Sequence, residues 1–262
     1  RVSSDNVLGP YANEEIIVKS TNGTLSTAEP NCIDPELFED KDGGLWMVYG
    51  SSGAGIHIKE LYNSGENWGL PKEDGYGKLI WKGPANGGTP VVEGPFVFYN
   101  DLTDYYYLMT SYGDLNTDYN MHVARSKNPD GPYTDVTGAD MATLPNAGMT
   151  GGNKIAGNYK FERASADMGY AALGHNSVIK DKSGKYFVVY HTRRQTGSSK
   201  PTAGHNLCVS QLFFNEQGWP VMSPVCYEGE TFGTVEASEL AQTYEIVIHT
   251  EATQQAPAVS QD

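Results

Sequence analysis

Three stretches of the chain follow one plan, and this repeat constrains the fold more than any other feature. The first runs Asn31-Cys32-Ile33-Asp34-Pro35-Glu36-Leu37-Phe38, turns at Lys41-Asp42-Gly43-Gly44 and continues as Leu45-Trp46-Met47-Val48-Tyr49. The second runs Val92-Glu93-Gly94-Pro95-Phe96-Val97-Phe98, turns between Asn100 and Asp104, and continues as Tyr105-Tyr106-Tyr107-Leu108-Met109. The third runs Gly174-His175-Asn176-Ser177-Val178-Ile179, turns at Asp181-Lys182-Ser183-Gly184, and continues from Lys185 to Tyr190. Each is a polar residue, a short strand, a polar hairpin turn and an aromatic-rich strand. A third strand follows in every case, at Gly55–Lys59, Tyr119–Ala124 and Asn206–Leu212. A β-sandwich also gives short alternating strands, but a unit recurring along the chain fits the blades of a β-propeller better. The wider interval between the second and third units falls in residues 137–166, rich in Gly, Asn and Ala, and reads as a long rim loop.

A fourth element recurs as well. Ala124-Arg125-Ser126-Lys127-Asn128-Pro129-Asp130-Gly131-Pro132-Tyr133 closes the second unit, and the chain opens on a similar string, Arg1 to Tyr11. The expectation is therefore an all-β propeller truncated at its N-terminus, with about three complete blades after the end of a preceding one. Residues 1–235 form the C-terminal part of the propeller domain. Glu216-Gln217-Gly218-Trp219-Pro220-Val221 is a tight turn into the strand that completes the last blade. Residues 236–262 read as a linker and the start of a truncated C-terminal β domain, with a fresh strand over Tyr244–His249.

The formal net charge of −14 argues against broad electrostatic binding to nucleic acid or an anionic membrane, and says little about a neutral ligand. The 30 glycines and 17 tyrosines suit many short strands joined by tight turns. The three cysteines are too few for a disulfide framework; Cys208 and Cys226 either pair or stay as buried thiols. No stretch is long and apolar enough for a membrane span.

In a propeller the first strand of each blade lines the axis, so residues at equivalent blade starts converge. Asp34, Glu93 and His175 form such a set. Two carboxylates brought together resist simultaneous ionisation, which prepares one of them to act as a general acid. Singly, Asp34 could cap a turn before Pro35, Glu93 could be an exposed loop carboxylate, and His175 could be a buried structural histidine. Trp46, Trp68, Trp81 and Tyr105-Tyr106-Tyr107 are candidates for stacking on a ligand or for core packing. Gly50-Ser51-Ser52-Gly53-Ala54-Gly55 reads as a cleft-side loop, and its glycines lack the Lys-Ser/Thr of a phosphate loop. Arg193 fits either substrate contact or packing between blades.

Ile33-Asp34-Pro35, Glu93-Gly94-Pro95-Phe96 and Gly174-His175-Asn176-Ser177-Val178 resemble family 43 glycoside hydrolases, in particular the endo-α-1,5-L-arabinanase group. Ser111-Tyr112-Gly113, the string from Val123 to Tyr133 and Tyr190-His191-Thr192-Arg193 extend the likeness, which runs from Arg1 to about Gly233. The resemblance implies a five-bladed propeller that hydrolyses arabinan with inversion, in a secreted or periplasmic protein. It implies that Glu93 is the general acid, that Asp34 raises the acid's pKa and orients it, and that His175 lies beside a central calcium held largely by water. The family's general base, an aspartate of the first blade, has no match, since Asp5 lies on a closing segment and Asp40 beside a turn. The nearest alternatives are an exo-acting arabinofuranosidase or xylosidase of the same family, and a non-catalytic carbohydrate-binding propeller. A second chain or a missing N-terminal segment would complete the blades. This reading predicts that the 262-residue polypeptide, purified alone, releases no reducing sugar from linear arabinan; measurable hydrolysis would overturn it.

Overall fold

The computed structural model describes residues 1–12, 14–21, 28–83, 92–144, 151–160, 168–196, 204–231, 233–244, 246–248 and 258–260. These residues are all-β, apart from single 3-10 turns at Met141–Thr143 and Ala237–Leu240. One four-stranded sheet has the order β1 (Glu36–Glu39), β2 (Leu45–Tyr49), β3 (Ile56–Leu61), β4 (Lys78–Trp81), each strand antiparallel to the next. A second takes β5 (Val92–Asn100), β6 (Tyr105–Tyr112), β7 (Asn120–Ser126) and β8 (Asn153–Ala156) in chain order. A third, five-stranded, runs from β9 (Tyr159–Lys160) through β10 (Met168–Lys180), β11 (Tyr186–Thr196) and β12 (Asn206–Phe214) to β13 (Pro220–Met222). A separate hairpin pairs β14 (Ile246–Ile248) with β15 (Ala258–Ser260). Strands joined to their neighbours in sequence need only tight turns, which explains the glycine content.

Four of the turns share one construction. Asp40, Asp135, Asp181 and Asn215 each accept, through Oδ1, the backbone N–H groups two and four residues on. The residue three places on is glycine with positive φ in every case: Gly43, Gly138, Gly184 and Gly218. A short side chain that mimics the backbone, followed by a residue free to turn left-handed, closes the hairpin without strain. The closing element is also built twice. Ser4 Oγ accepts from Asn6 N and Ser126 Oγ from Asn128 N, each at 3.1 Å. Gly9 and Gly131 donate back to the asparagine carbonyls, and Tyr11 and Tyr133 donate their hydroxyls to the carbonyl four residues before.

Residues 137–166 are not a loop throughout. Asn153–Ala156 pairs with β7 and Tyr159–Lys160 with β10, because the unpaired edges of those strands offer backbone partners to any extended segment beside them. Residues 145–150 and 161–167 lie outside the described residues. Within the expected strand over Tyr244–His249, Ile246–Ile248 forms β14, while Glu245 and His249 lie outside the described residues.

The chain divides into two compact units, residues 1–108 with 124–151, and residues 109–123 with 152–262. In the first, Leu45, Met47, Tyr49 and Leu61 form a core cluster flanked by Ile17, Val18 and Cys32, and Trp81, Tyr106, Tyr107 and Tyr133 are almost wholly buried. In the second, Ala171, Leu173, Val188 and Leu212 are buried along the long β10–β11–β12 sheet. Cys208 and Cys226 form a disulfide that ties β12 to the segment after β13, with their Cα atoms 5.4 Å apart.

Glu36 gives the first unit a pH-dependent element. Its carboxylate accepts Val97 N at 2.7 Å, and burial pushes its pKa up to about 8, against the hydrogen bond. A raised folded-state pKa means that the stability it contributes is fully present below the unfolded value of 4.5 and is lost as pH rises through about 8. Glu36→Gln keeps an acceptor for Val97 N without the charge. Its melting temperature should match that of the unaltered protein at pH 4 and exceed it by several degrees at pH 8.5; equal melting curves at both pH values would refute the assignment.

Candidate active site

The first unit brings Asp34 and Glu93 together through the backbone between them. Gly94 N donates to Asp34 Oδ2 at 3.4 Å, a long bond that nevertheless fixes which way the Asp34 carboxylate faces. Both carboxylates are partly buried. The segment Gly50–Gly55, after β2, holds both strand starts: Gly50 N donates to Ile33 O at 3.0 Å and Ser52 N to Val92 O at 2.8 Å. From the same segment Ser51 Oγ donates to Glu93 Oε2 at 2.9 Å. Ser51, Ser52, Gly53 and Gly55 are buried, so this stretch braces the two carboxylates instead of lining a cleft.

The backbone places Glu93 one position away from the expected register. Left-handed φ values fall on Asp34 (54°), His175 (50°) and Gly94 (57°). The matching strings are therefore Asp34-Pro35 and Gly94-Pro95, with Glu93 standing one residue ahead. Asp and His are among the side chains that tolerate this region, and glycine enters it freely. The turn into the strand fixes the left-handed residue.

His175 belongs to the second unit. It sits where β10 is irregular, between Ala171 and Ser177, and its backbone N donates to Ser111 Oγ at 2.9 Å. Gly174 beside it has no room for a side chain, since a Cβ there would lie 2.3 Å from the Tyr119 ring. The His175 side chain is exposed. Tyr119 stacks on His191 at 5.5 Å between ring centroids, and His191 stacks on His205 at 4.3 Å. Burial, followed by the neighbouring His205, His175 and Arg193, drives His191 down to about 4, so its imidazole is neutral near pH 7. Among the described residues no group of three or more His, Cys, Asp or Glu side chains is arranged to hold a metal ion. One exposed imidazole fits a cation only as a single ligand, with water filling the other positions; hard cations favour such oxygen donors.

Several other candidates are packing residues. Trp81, Tyr106 and Tyr107 are fully buried, and Arg193 spends its guanidinium on Leu115 O and Asn116 Oδ1. Tyr105 is covered by Arg125 and Lys127 at 4.2 and 3.7 Å from its centroid. Asp40 is consumed by its turn and by Trp46 Nε1 at 2.7 Å. Ser51 and Ser111 were not anticipated as site residues. Both occupy the same place in the repeat, the second residue beyond Tyr49 and Met109, and that coincidence was the available signal.

Comparison with known proteins adds the decisive observation. The family described as Glycosyl hydrolases family 43 matches residues 1–220, a span that includes Asp34, Glu93 and His175. The chain belongs to glycosyl hydrolase family 43. Among family 43 relatives, the extracellular endo-α-(1→5)-L-arabinanase 2 of Bacillus subtilis is 41% identical over 94% of this chain and 55% of its own length. The extracellular endo-α-(1→5)-L-arabinanase of Thermotoga petrophila is 40% identical over the same shares. The crystal structure of the endo-1,5-α-L-arabinanase from Thermotoga petrophila RKU-1 superposes with a TM-score of 0.83 at 37% identity, covering 98% of this chain and 61% of that one. The chain thus spans about half the length of the curated relatives it matches.

In this family 43 chain the bracing segment depends on Gly55. Its φ is +94°, and a Cβ would lie 2.1 Å from Trp81 O and 2.5 Å from Gly83 N. Gly55→Ala should cost about 3 kcal/mol in denaturant unfolding, combining backbone strain with a clash against main chain. A loss below about 0.5 kcal/mol would show that Gly50–Gly55 is not held as described.

Proposed function

We propose that the complete protein is a secreted, inverting endo-α-1,5-L-arabinanase, and that this chain supplies the C-terminal blades of its five-bladed propeller. The observation that carries this is the pairing of Asp34 with Glu93 through Gly94 and the Gly50–Gly55 brace, in a family 43 chain. Two relatives named extracellular endo-arabinanases support the substrate, the endo mode and the location.

The roles follow from the chemistry. Ser51 engages Glu93 Oε2, so the proton that Glu93 delivers rides on Oε1. As the bond from the anomeric carbon to the glycosidic oxygen breaks, that proton passes to the departing oxygen and Glu93 is left as a carboxylate. Asp34 orients the acid. A water molecule forms the new bond to the anomeric carbon from the opposite face, giving its proton to a third carboxylate. In an inverting enzyme that base stands about 6.5–9.5 Å from the acid to admit the water. We assign it to an aspartate in a part of the protein outside this sequence, contributed by a preceding segment or a second chain. We assign His175 as a protein ligand of a largely hydrated calcium. Linear arabinan and its oligosaccharides are the proposed substrates.

A carbohydrate-binding module without catalysis would not need a serine fixed on Glu93. In the full-length protein, Glu93→Gln keeps the acceptor for Ser51 but has no proton to give. Its turnover of linear arabinan should fall about 10³-fold, while calorimetric binding of arabinotriose changes less than about twofold. Turnover near that of the unaltered protein would sink the assignment.

A further inference from the structure

The first unit holds a second concave site that the catalytic reading does not use, and we propose that it binds a neutral sugar chain. A cavity of about 260 Å³ opens against the first sheet, lined by Trp46, Ile58, Glu60, Lys72, Lys78 and Asp130 among others. The register explains why these side chains meet. Trp46 lies opposite Glu60 in the β2–β3 ladder, and Ile58 lies opposite Lys78 in the β3–β4 ladder. Trp46, Glu60, Ile58 and Lys78 therefore share one face of the sheet. Lys72 and Asp130 arrive from loops and pair with Glu60 and Lys78 respectively.

Three observations favour a sugar. The indole of Trp46 is held in place, because its Nε1 donates to an Asp40 carboxylate that the hairpin turn has already fixed. A pre-set aromatic wall is what a sugar ring stacks upon, with little ordering left to do. Around it the charges balance: Lys72 pairs with Glu60 and Lys78 with Asp130, and Lys59 and Glu73 add one charge of each sign, so the lining has no net attraction for an anion. Ammonium donors alternating with carboxylate acceptors suit hydroxyl groups, which donate and accept at once. Both pairs are partly exposed, with side-chain accessibilities between 37% and 52%, and exposed pairs of this kind surrender their geometry to a ligand at small cost.

The site is separate from the carboxylates. Trp46 stands near the start of β2, whereas Ser51 follows its end and reaches Glu93. The strand alone puts roughly 10 Å between Trp46 and Tyr49, and Ser51 lies beyond that end. The proposal rests on the arabinanase reading for the identity of the polymer. A chain engaged at Trp46 would tether the polysaccharide while the carboxylates work elsewhere on it.

Native gels containing linear arabinan or polygalacturonate, run with the full-length protein, test this. Linear arabinan should retard the unaltered protein. Trp46→Ala and the doubly substituted Lys78→Ala/Asp130→Ala should each weaken retardation at least fivefold, with kcat/KM on arabinotriose within twofold of normal. The double substitution lies on the surface and guards against misfolding of the tryptophan variant. Unchanged retardation of both variants overturns the proposal, as does retardation by polygalacturonate alone, which would mark an anion site. Loss of arabinotriose hydrolysis in both variants also overturns it, because the two sites would then not be separable. Trp46-dependent retardation in a protein that never cleaves arabinotriose would instead support this site and defeat the arabinanase reading.

Discussion

Between Tyr49 and Ile56 the chain reverses while lying against three other stretches of backbone, and the placement of both carboxylates depends on that close approach. Gly50 and Gly55 have positive φ, and a Cβ on either would fall within about 2.4 Å of a carbonyl oxygen. Only without side chains can Gly50 lie so close to Gly55 and Ile56, and Gly55 to Trp81 and Gly83. Each backbone hydrogen bond gained contributes only about 1 kcal/mol net. Their value lies in geometry: Gly50 N fixes the carbonyl just before Asp34, and Ser52 N fixes the carbonyl just before Glu93. An acid on a loose loop would spend its advantage on finding its position; here the position is set by main chain on both sides.

The second unit uses the same parts differently. Ser111 stands where Ser51 stands in the repeat, and its hydroxyl also reaches the start of a following first strand, but it accepts from His175 N where Ser51 donates to Glu93. A hydroxyl can do either, so one repeated residue serves a carboxylate in one sheet and a left-handed backbone amide in the next. Thr192, at the corresponding place after Tyr190, turns back to Ala171 O. The repeat conserves where a hydroxyl is presented, while the residue at each strand start decides what it does.

That pattern shows how much could be read from the sequence. The hairpins were legible because polar, glycine-bearing turns carry their own chemistry, and the second strands because aromatic residues are enriched in them. Strand β4 and the short β8 and β9 were not, since Lys78–Trp81, Asn153–Ala156 and Tyr159–Lys160 are too brief for periodicity and owe their form to waiting partner strands. Asp34 and Glu93 were found by alignment of the repeat, but their one-residue offset was invisible. It depends on which residue turns left-handed, and the Pro shared by Asp34-Pro35 and Gly94-Pro95 was the clue. Ser51 was hidden for a different reason. A serine in a glycine-rich string looks like any loop residue until the fold places a carboxylate 2.9 Å away.

Strand β2 links the two chemistries of the first unit, and the contrast between its ends is informative. At the Ser51 end, Glu93 and Asp34 accept from a hydroxyl and a backbone amide. At the Trp46 end Glu60 and Asp130 each have an ammonium beside them. A lysine beside Glu93 would favour its carboxylate form and so oppose proton delivery. Paired ions around a fixed indole suit holding a neutral polymer, where net charge would add nothing. A five-residue strand is stiff enough to keep the two environments a constant distance apart, so a polysaccharide held at one end would meet the other at a defined spacing along its length.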